Sequence, residues 1–272
     1  MALVNDRWYC TLQDLKAELG ETGTDNDARL SRYIAQASRA FEDATGRNFL
    51  PVTATKYFDC PLRDANRLFL AYEDLLTLTT LTDQTGTITS TYYWLYPLNM
   101  KPYHSIVLNT TTLGRCFEYD DDPNNSISVL GQWGFCDDYM ATGLTLAAAI
   151  SSTTATTVTL SGAGCKAGWT LLVDTEAMHV SAVTGNVATV QRGANGTTAA
   201  THLISTAVYR YAVPQEIEIA VLELASYTNN TRTSGGVESE SIGEYSVKYD
   251  ISRRGWPAGV VNTIKRYQRI GV

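Results

Sequence analysis

The sequence predicts an α+β protein: a small helical bundle built from N- and C-terminal helices, an antiparallel β-sheet region, and an inserted all-β module. Three observations predict it. Periodic apolar stripes of helical spacing occur only near the two ends of the 272 residues. Residues 51–142 break into short β-branched and aromatic runs separated by Asp, Gly, Asn and Pro. Residues 143–212 turn small and hydroxylated, with three basic and two acidic residues. The expected parts are therefore residues 1–50 with 213–272 as helical core, 51–142 as antiparallel β region, and 143–212 as inserted module.

In chain order, Thr11 and Asp14 form a capping pattern before Leu12, Leu15 and Leu19, and Gly20 ends a first short helix. "ETGTDND" supplies a loop and an N-cap at Asp25 or Asp27 for a second helix. In that helix Leu30, Tyr33, Ile34, Ala37, Phe41 and Ala44 share one face, Arg32, Gln36, Arg39 and Asp43 the other, and Gly46 is the stop. "TATKYFD", "NRLFLAY", "LTLTTLTD", "TITSTYYWLYP", "SIVLN", "CFEYD" and "SISVLGQWGF" read as strands, with "DQTGT" and "DDDPNNS" as turns. In the module, "TGN" is a hairpin turn. Pro214 then opens a helix whose buried stripe is Ile217, Ala220, Val221 and Leu224, with Glu216 and Glu218 suited to its N-terminus. "TNNTRTSGGVESES" reads as a polar loop and "EYSVKYD" as one strand. A closing helix sets Val260, Ile264 and Tyr267 against Lys265, Arg266 and Arg269. The apolar stripes of the two ends predict that the helix over 27–45 packs on the helix after Pro214.

The net charge of -7 is unevenly spread. Residues 1–142 hold 11 basic and 19 acidic residues, whereas residues 251–272 carry five basic residues and no acidic one. An acidic body argues against non-specific duplex binding by the whole surface; the basic end suits an acidic dock. Five scattered cysteines without a C-x-x-C pair favour free thiols. The start lacks the features of a signal peptide and no run reaches the length of a membrane span, so no membrane partner is expected.

Chemistry-bearing motifs are sparse. No G-x-S-x-G, Walker lysine or G-x-G-x-x-G occurs, and His104, His179 and His202 stand apart, which favours structural roles. Glu118, Asp120, Asp121 and Asp122 form an acidic run that lacks the calcium-loop pattern and reads as a solvated turn. The expectation is a non-enzyme without cofactor or metal.

"YCTLQDLKAELG…DARLSRYIAQASRAFEDATGRNF" resembles the N-terminal signature of tailed-bacteriophage head–tail connector (adaptor) proteins. "YPLNMKPYHSIVLN", "SISVLGQWGF" and "PQEIEIAVLELASYTNN…GGVESESIGEYSVKYD…VVNTIKRYQRI" resemble later segments of longer members. Residues 143–212 are instead similar to a β-module of phage tail and neck proteins, marked by a "dtE-M-V" strand and an "RG-nGT-a--H" ending. The resemblance implies a structural virion protein of the neck, made in the host bacterial cytoplasm. It implies a homo-oligomeric ring, commonly a dodecamer, under the portal protein. That ring would pass genomic DNA without sequence recognition and dock the next neck or tail-terminator protein. It also implies that the C-terminal region reaches the portal, which makes Tyr245, Arg253, Arg254, Trp256, Lys265, Arg266, Tyr267 and Arg269 the candidate portal or subunit interface. Arg32, Arg39 and Asp43 are the candidate inter-subunit helix face. Two alternatives stand beside it: another neck or tail completion protein, and a carbohydrate-binding module using Tyr92, Tyr93 and Trp94. A hydrolase built on Asp120–Asp122 lacks an identifiable partner residue.

Overall fold

Helix-capping chemistry at the N-terminus works as the sequence predicts. In the computed structural model, which describes residues 7–110, 114–233, 239–242, 245–248 and 255–269 (between 232 and 248 only the backbone), α1 spans Leu12–Leu19. The Thr11 hydroxyl accepts the Asp14 amide, and Gly20 closes the helix at φ 68°, a left-handed conformation that costs a glycine nothing. α2 spans Asp27–Thr45 and ends at Gly46, whose N–H donates to the Glu42 carbonyl at 2.7 Å. Its N-cap is Asn26, not Asp25 or Asp27. The Asp27 carboxylate is instead taken by Lys16 at 2.7 Å.

The chain falls into two compact units. The first comprises Met1–Gly46, Asp138–Ala194 and Thr198–Gln268. In it α2 packs on α3 (Gln215–Thr233), α1 packs on both, and α4 (Ala258–Tyr267) packs on α2 and α3, so the two ends of the chain build one bundle. Leu30, Ile34 and Phe41 of α2 are buried, as are Ile217, Val221 and Leu224 of α3 and Val260 and Ile264 of α4. α3 opens after Pro214, whose carbonyl accepts the Ile217 and Glu218 amides. It continues through residues 228–233, where the sequence predicts a loop. Thr228 turns its hydroxyl back onto the Leu224 carbonyl at 2.8 Å, a bond made within the helix, and Asn229 is buried. β14 (Ser239–Ile242) pairs with β15 (Tyr245–Lys248), so the single strand expected there has a partner drawn from the expected loop.

The same unit holds six further strands: β8 (Tyr139–Thr145), β9 (Thr157–Thr159), β10 (Thr170–Val173), β11 (Glu176–Thr184), β12 (Val187–Gln191) and β13 (Ala207–Tyr211). They form one antiparallel sheet in the order β8-β13-β10-β11-β12-β9. Gly185 and Asn186 make the predicted β11–β12 turn, with Thr184 opposite Val187 and Gly185 at φ 63°. Val158, Leu160, Leu171, Val173, Met178, Val180 and Val208 fill the core against this sheet.

The second unit comprises Arg47–Asp137, Asn195–Thr197 and Arg269–Val272. Strands β1 (Val52–Phe58), β3 (Leu75–Asp83), β4 (Gly86–Ile88) and β7 (Ile127–Trp133) make a four-stranded sheet in the order β1-β7-β3-β4. Strands β2 (Arg67–Phe69), β5 (Tyr93–Tyr96) and β6 (Ser105–Leu108) make a three-stranded sheet in the order β2-β6-β5. One core of Leu68, Leu75, Leu81, Ile106, Ile127, Val129 and Trp133 serves this unit. At Gly131 an added Cβ would stand 2.3 Å from the Thr77 carbonyl oxygen, so only glycine lets β3 and β7 approach this closely. The expected strand "CFEYD" (116–120) is irregular. Its amides at Glu118 and Asp120 donate to the side chains of Asp83 and Gln84, leaving no ladder to join. Phe117 is buried all the same, its amide on the Ala65 carbonyl at 2.7 Å.

Candidate interaction surfaces

The chemistry-bearing residues are mostly consumed by structure. Glu176, at the start of β11, is fully buried and accepts Arg192 Nε at 2.7 Å, Arg192 Nη2 at 2.8 Å, and the amides of Gly193 and Ala200 at 2.9 Å each. His202 Nε2 lies 2.8 Å from the same carboxylate and its Nδ1 2.7 Å from Asp174. Burial alone would raise the Glu176 carboxyl, but the hydrogen bonds from Arg192, Ala200, His202 and Gly193 outweigh it and hold it at about 2. Arg192 also donates to the Ser152 and Ala200 carbonyls. Of the letters in the "dtE-M-V" and "RG-nGT-a--H" motifs, Asp174, Glu176, Arg192, Gly193 and His202 are thus members of one hydrogen-bond network that fastens the loop after β12 back onto β11, while Met178 and Val180 lie in the core. A carboxylate with this many donors has little capacity left for a substrate or metal.

His179 packs edge-on against Trp8 with ring centroids 5.4 Å apart, and burial drives its imidazole down to about 4. His104 is exposed, 3.9 Å from Asp74. The cleft lined by Trp8, Cys10, Gly168, Trp169, Arg210 and Glu218 offers about 20 Å³, room for about one water. Burial pushes the Cys10 thiol far above its ordinary range, so Cys10 does not supply a thiolate nucleophile there. Among the described residues, no group of three or more His, Cys, Asp or Glu is arranged to hold a metal ion. Nor is any helix among them long and apolar enough to cross a membrane.

The expected α2 face exists as a surface. Arg32, Arg39 and Asp43 point away from the buried stripe, and their spacing of seven and four residues keeps them on one side of the helix. Arg32 Nε caps the Ala28 carbonyl at 3.2 Å, and Arg39 lies 3.6 Å from Glu42. Glu42 itself is buried. Burial raises its carboxyl against the lowering pull of Arg7, Tyr9 and Arg39, and Tyr9 donates its hydroxyl to it.

Among the described residues, the C-terminal candidates divide between α4 and the positions flanking it. Lys265 and Arg266 lie exposed on α4. Arg266 Nη1 reaches Glu216 at 2.6 and 2.8 Å, and Tyr267 donates to the same carboxylate at 3.2 Å, joining α4 to the first turn of α3. Trp256 is half-buried just ahead of α4. Arg269 stands outside the helix, not on its polar face as expected. Gln268 already caps α4, and Arg269 pairs with buried Asp74 at 2.6 Å, as Arg47 does at 2.8 Å. Tyr245 lies in β15, with its side chain outside the described residues, and Arg253 and Arg254 also lie outside them.

The helix pair at the N-terminus, with its Thr11 cap and its Gly20 and Gly46 stops, lies with β1 and β2 in a segment that has a recognisable relative. Residues 9–69 match the Phage gp6-like head-tail connector protein family. This connector segment covers α1, α2, β1 and β2 and includes the candidate face of Arg32, Arg39 and Asp43. No curated protein matches the chain. Among solved structures, the neck of an empty GTA particle computed with C6 symmetry superposes with a TM-score of 0.42 at 12% identity, covering 100% of this chain and 95% of that one.

Sequence reasoning missed two features that the geometry supplies. One is Asp74, a buried carboxylate shared by two arginines; nothing in "AYEDLL" marks it. The other is the outer face of the β2-β6-β5 sheet, where Arg67 lies 5.6 Å from the ring centre of Phe69 and 5.5 Å from that of Tyr96. The alternation of "NRLFLAY" and "YYWLY" is the signal that could have found it.

Proposed function

We propose that this chain is a head–tail adaptor: a structural neck protein that assembles as a ring beneath the portal, extends the DNA channel, and docks the tail or next neck protein. The observation that carries the reading is the connector match over residues 9–69, together with the packing of that segment's helices on α3 and α4. An adaptor works by shape and needs no catalytic residues; the titratable clusters above fit that role because their members already hold the fold together. A net charge of -7 favours passage of DNA without adhesion, since like charge keeps phosphates off the wall. The ring, the twelve-fold count and the portal contact belong to this proposal.

On α4, Lys265 and Arg266 are the exposed cations that could face an acidic portal surface, Arg266 by exchanging its Glu216 partner. Arg269 is excluded from a clean test because reversing it would set a negative charge against the buried carboxylate of Asp74, whereas Glu216 beside Arg266 is exposed to water. The experiment is electron microscopy of the purified protein with and without portal-bearing particles, for the wild type and for Lys265→Glu/Arg266→Glu. The expected result is wild-type rings, free or on the portal, and loss of attachment in a variant that keeps its thermal midpoint. A wild type that stays monomeric and ignores the portal overturns the adaptor reading. Undiminished attachment of the variant overturns the α4 contact.

A further inference from the structure

The β2-β6-β5 sheet has one face in the core and one face outward. Register places Arg67, Val107 and Trp94 in one outward row and Phe69, Ser105 and Tyr96 in the next. Ser105 is small and buried between its two aromatic neighbours, and the Arg67 guanidinium lies within cation–π range of both rings. Phe69 is 62% exposed and Trp94 46%, so this is an aromatic surface in water. Among the described residues no carboxylate lies within 4 Å of Arg67, and none of its side-chain N–H groups is hydrogen-bonded. In the same unit Arg47 pairs with Asp74, Lys56 with Glu73, Lys101 with Asp137 and Arg115 with Asp83, while Arg63, also in no ion pair among the described residues, is exposed and, unlike Arg67, rests on no ring. The rings strip water from the guanidinium face while its donors stay unspent, an arrangement prepared for an external anion.

The same unit also presents the opposite charge, in the segment that follows Phe117. Glu118, Tyr119, Asp120, Asp121 and Asp122 are all exposed, and among the described residues none of the four carboxylates is in an ion pair. The segment is held in shape: Gln84 accepts the Asp120 amide and donates to the Asp122 carbonyl, and Asp122 accepts the Asn124 amide at 2.9 Å. A closed ring of identical subunits needs a head-to-tail contact, hence two different and complementary surfaces on each copy.

We propose that the Arg67–Phe69–Trp94–Tyr96 face is a subunit contact that receives the acidic segment 118–122 of a second copy of this chain. The inference rests on the adaptor reading for the existence of a ring and adds which surfaces close it. Trp, Tyr and Arg are the residue types that dominate interface energetics, and Tyr119 brings a further aromatic ring with the incoming carboxylates. A glycan is the poorer occupant, because stacking sugars need bare ring faces and Arg67 already lies over two of the three.

The test uses the full-length protein, alone and on portal-bearing particles, by sedimentation velocity and negative-stain microscopy. Arg67→Glu copies and Asp120→Lys/Asp121→Lys copies should each fail to form rings while keeping the wild-type thermal midpoint. Mixing the two should restore rings, since every contact can then pair opposite charges: an Arg67→Glu face with a lysine-bearing segment, and an unaltered Arg67 face with an unaltered acidic one. Arg67→Ala, which adds no charge, should weaken assembly about tenfold or more, the size expected of a hot-spot cation. Rings from Arg67→Glu equal to the wild type, or a mixture that stays unassembled, overturn the contact while leaving the adaptor reading standing. A wild type that forms no ring, free or on the portal, overturns both. Glycan binding abolished by Trp94→Ala overturns the contact in favour of a sugar.

Discussion

In the six-stranded sheet Arg192 spends its guanidinium on Glu176, Ser152 and Ala200, all within its own chain. In the three-stranded sheet Arg67 rests on Phe69 and Tyr96 with no carboxylate beside it. Both sit on strands or strand ends of small antiparallel sheets. The difference is what surrounds them: the first arginine faces a carboxylate that has no water to return to, the second faces solvent. A charge fully answered inside the chain holds the fold, whereas a charge left unanswered on an apolar surface is free to meet a partner. Neither the net charge nor the density of charged residues separates these two cases.

The largest expected effect breaks the first arrangement. Glu176→Gln leaves Arg192 buried without its counter-charge and should cost about 3–5 kcal/mol of folding free energy, read from the urea midpoint. Arg67→Ala, measured the same way on the unassembled chain, should stay within about 0.5 kcal/mol. Equal losses from the two would show that the contrast between a structural and an available arginine is mistaken.

Acid sharpens the same contrast. The Glu176 carboxyl sits at about 2, below its ordinary 4.5, so the folded state holds fewer protons than the unfolded chain between those values. Its contribution is whole above pH 4.5 and is lost as pH falls towards 2, a loss on the order of 3 kcal/mol. His179, driven by burial from 6.5 to about 4, has the same sign in an earlier window: stability falls as pH drops from 6.5 to 4. Thermal midpoints over pH 7 to 2 should therefore decline in two stages, and His179→Phe should remove the first stage alone. A single decline unchanged by His179→Phe would contradict the assignment.

An intermediate case lies at Asp74. Its carboxylate is buried, but Arg47 and Arg269 are each partly open to water, at 16% and 15% exposure. Asp74→Asn should cost about 2 kcal/mol, between the Arg192 and Arg67 extremes, because the two guanidinium groups regain some hydration. A loss as large as that of Glu176→Gln would mean that these arginines are effectively as enclosed as Arg192.

Much of the helical frame is legible in the residues themselves. Thr11 and Asp14, Gly20, Gly46 and Pro214 act locally, through bonds to amides and carbonyls a turn away, and their effects need no knowledge of the rest of the chain. The turn at Gly185 and Asn186 is legible for the same reason. What sequence misses depends on distant partners. Asp27 does not cap α2 because Lys16, eleven residues earlier, takes its carboxylate. Residues 116–120 have strand composition, but Asp83 and Gln84 draw off their amides. The motif letters Glu176, Arg192 and His202 stand out in the sequence as a pattern, yet only the register of β11 and β12 and the return of the chain at Ala200 bring them within bonding distance. The connector resemblance is legible over the segment with the most local signals, and the outward pairing of Arg67 with Tyr96 is not, since it crosses two strand registers.

The smallest effect belongs to Arg266, and its smallness is informative. Its guanidinium reaches both oxygens of Glu216, but the arginine is 67% exposed and the glutamate 48%, so water competes for both. In Arg266→Ala, Glu216 keeps the Tyr267 hydroxyl and its place in the first turn of α3, where the helix dipole favours a negative charge. The stability change should be no more than about 0.5 kcal/mol, and should vanish in 1 M salt, where the screening length is about 3 Å. A loss of about 2 kcal/mol or more would show that the pair fastens α4 to α3. The attachment defect of Lys265→Glu/Arg266→Glu would then report a loosened helix, and Lys265→Glu alone would have to carry the test of the portal contact.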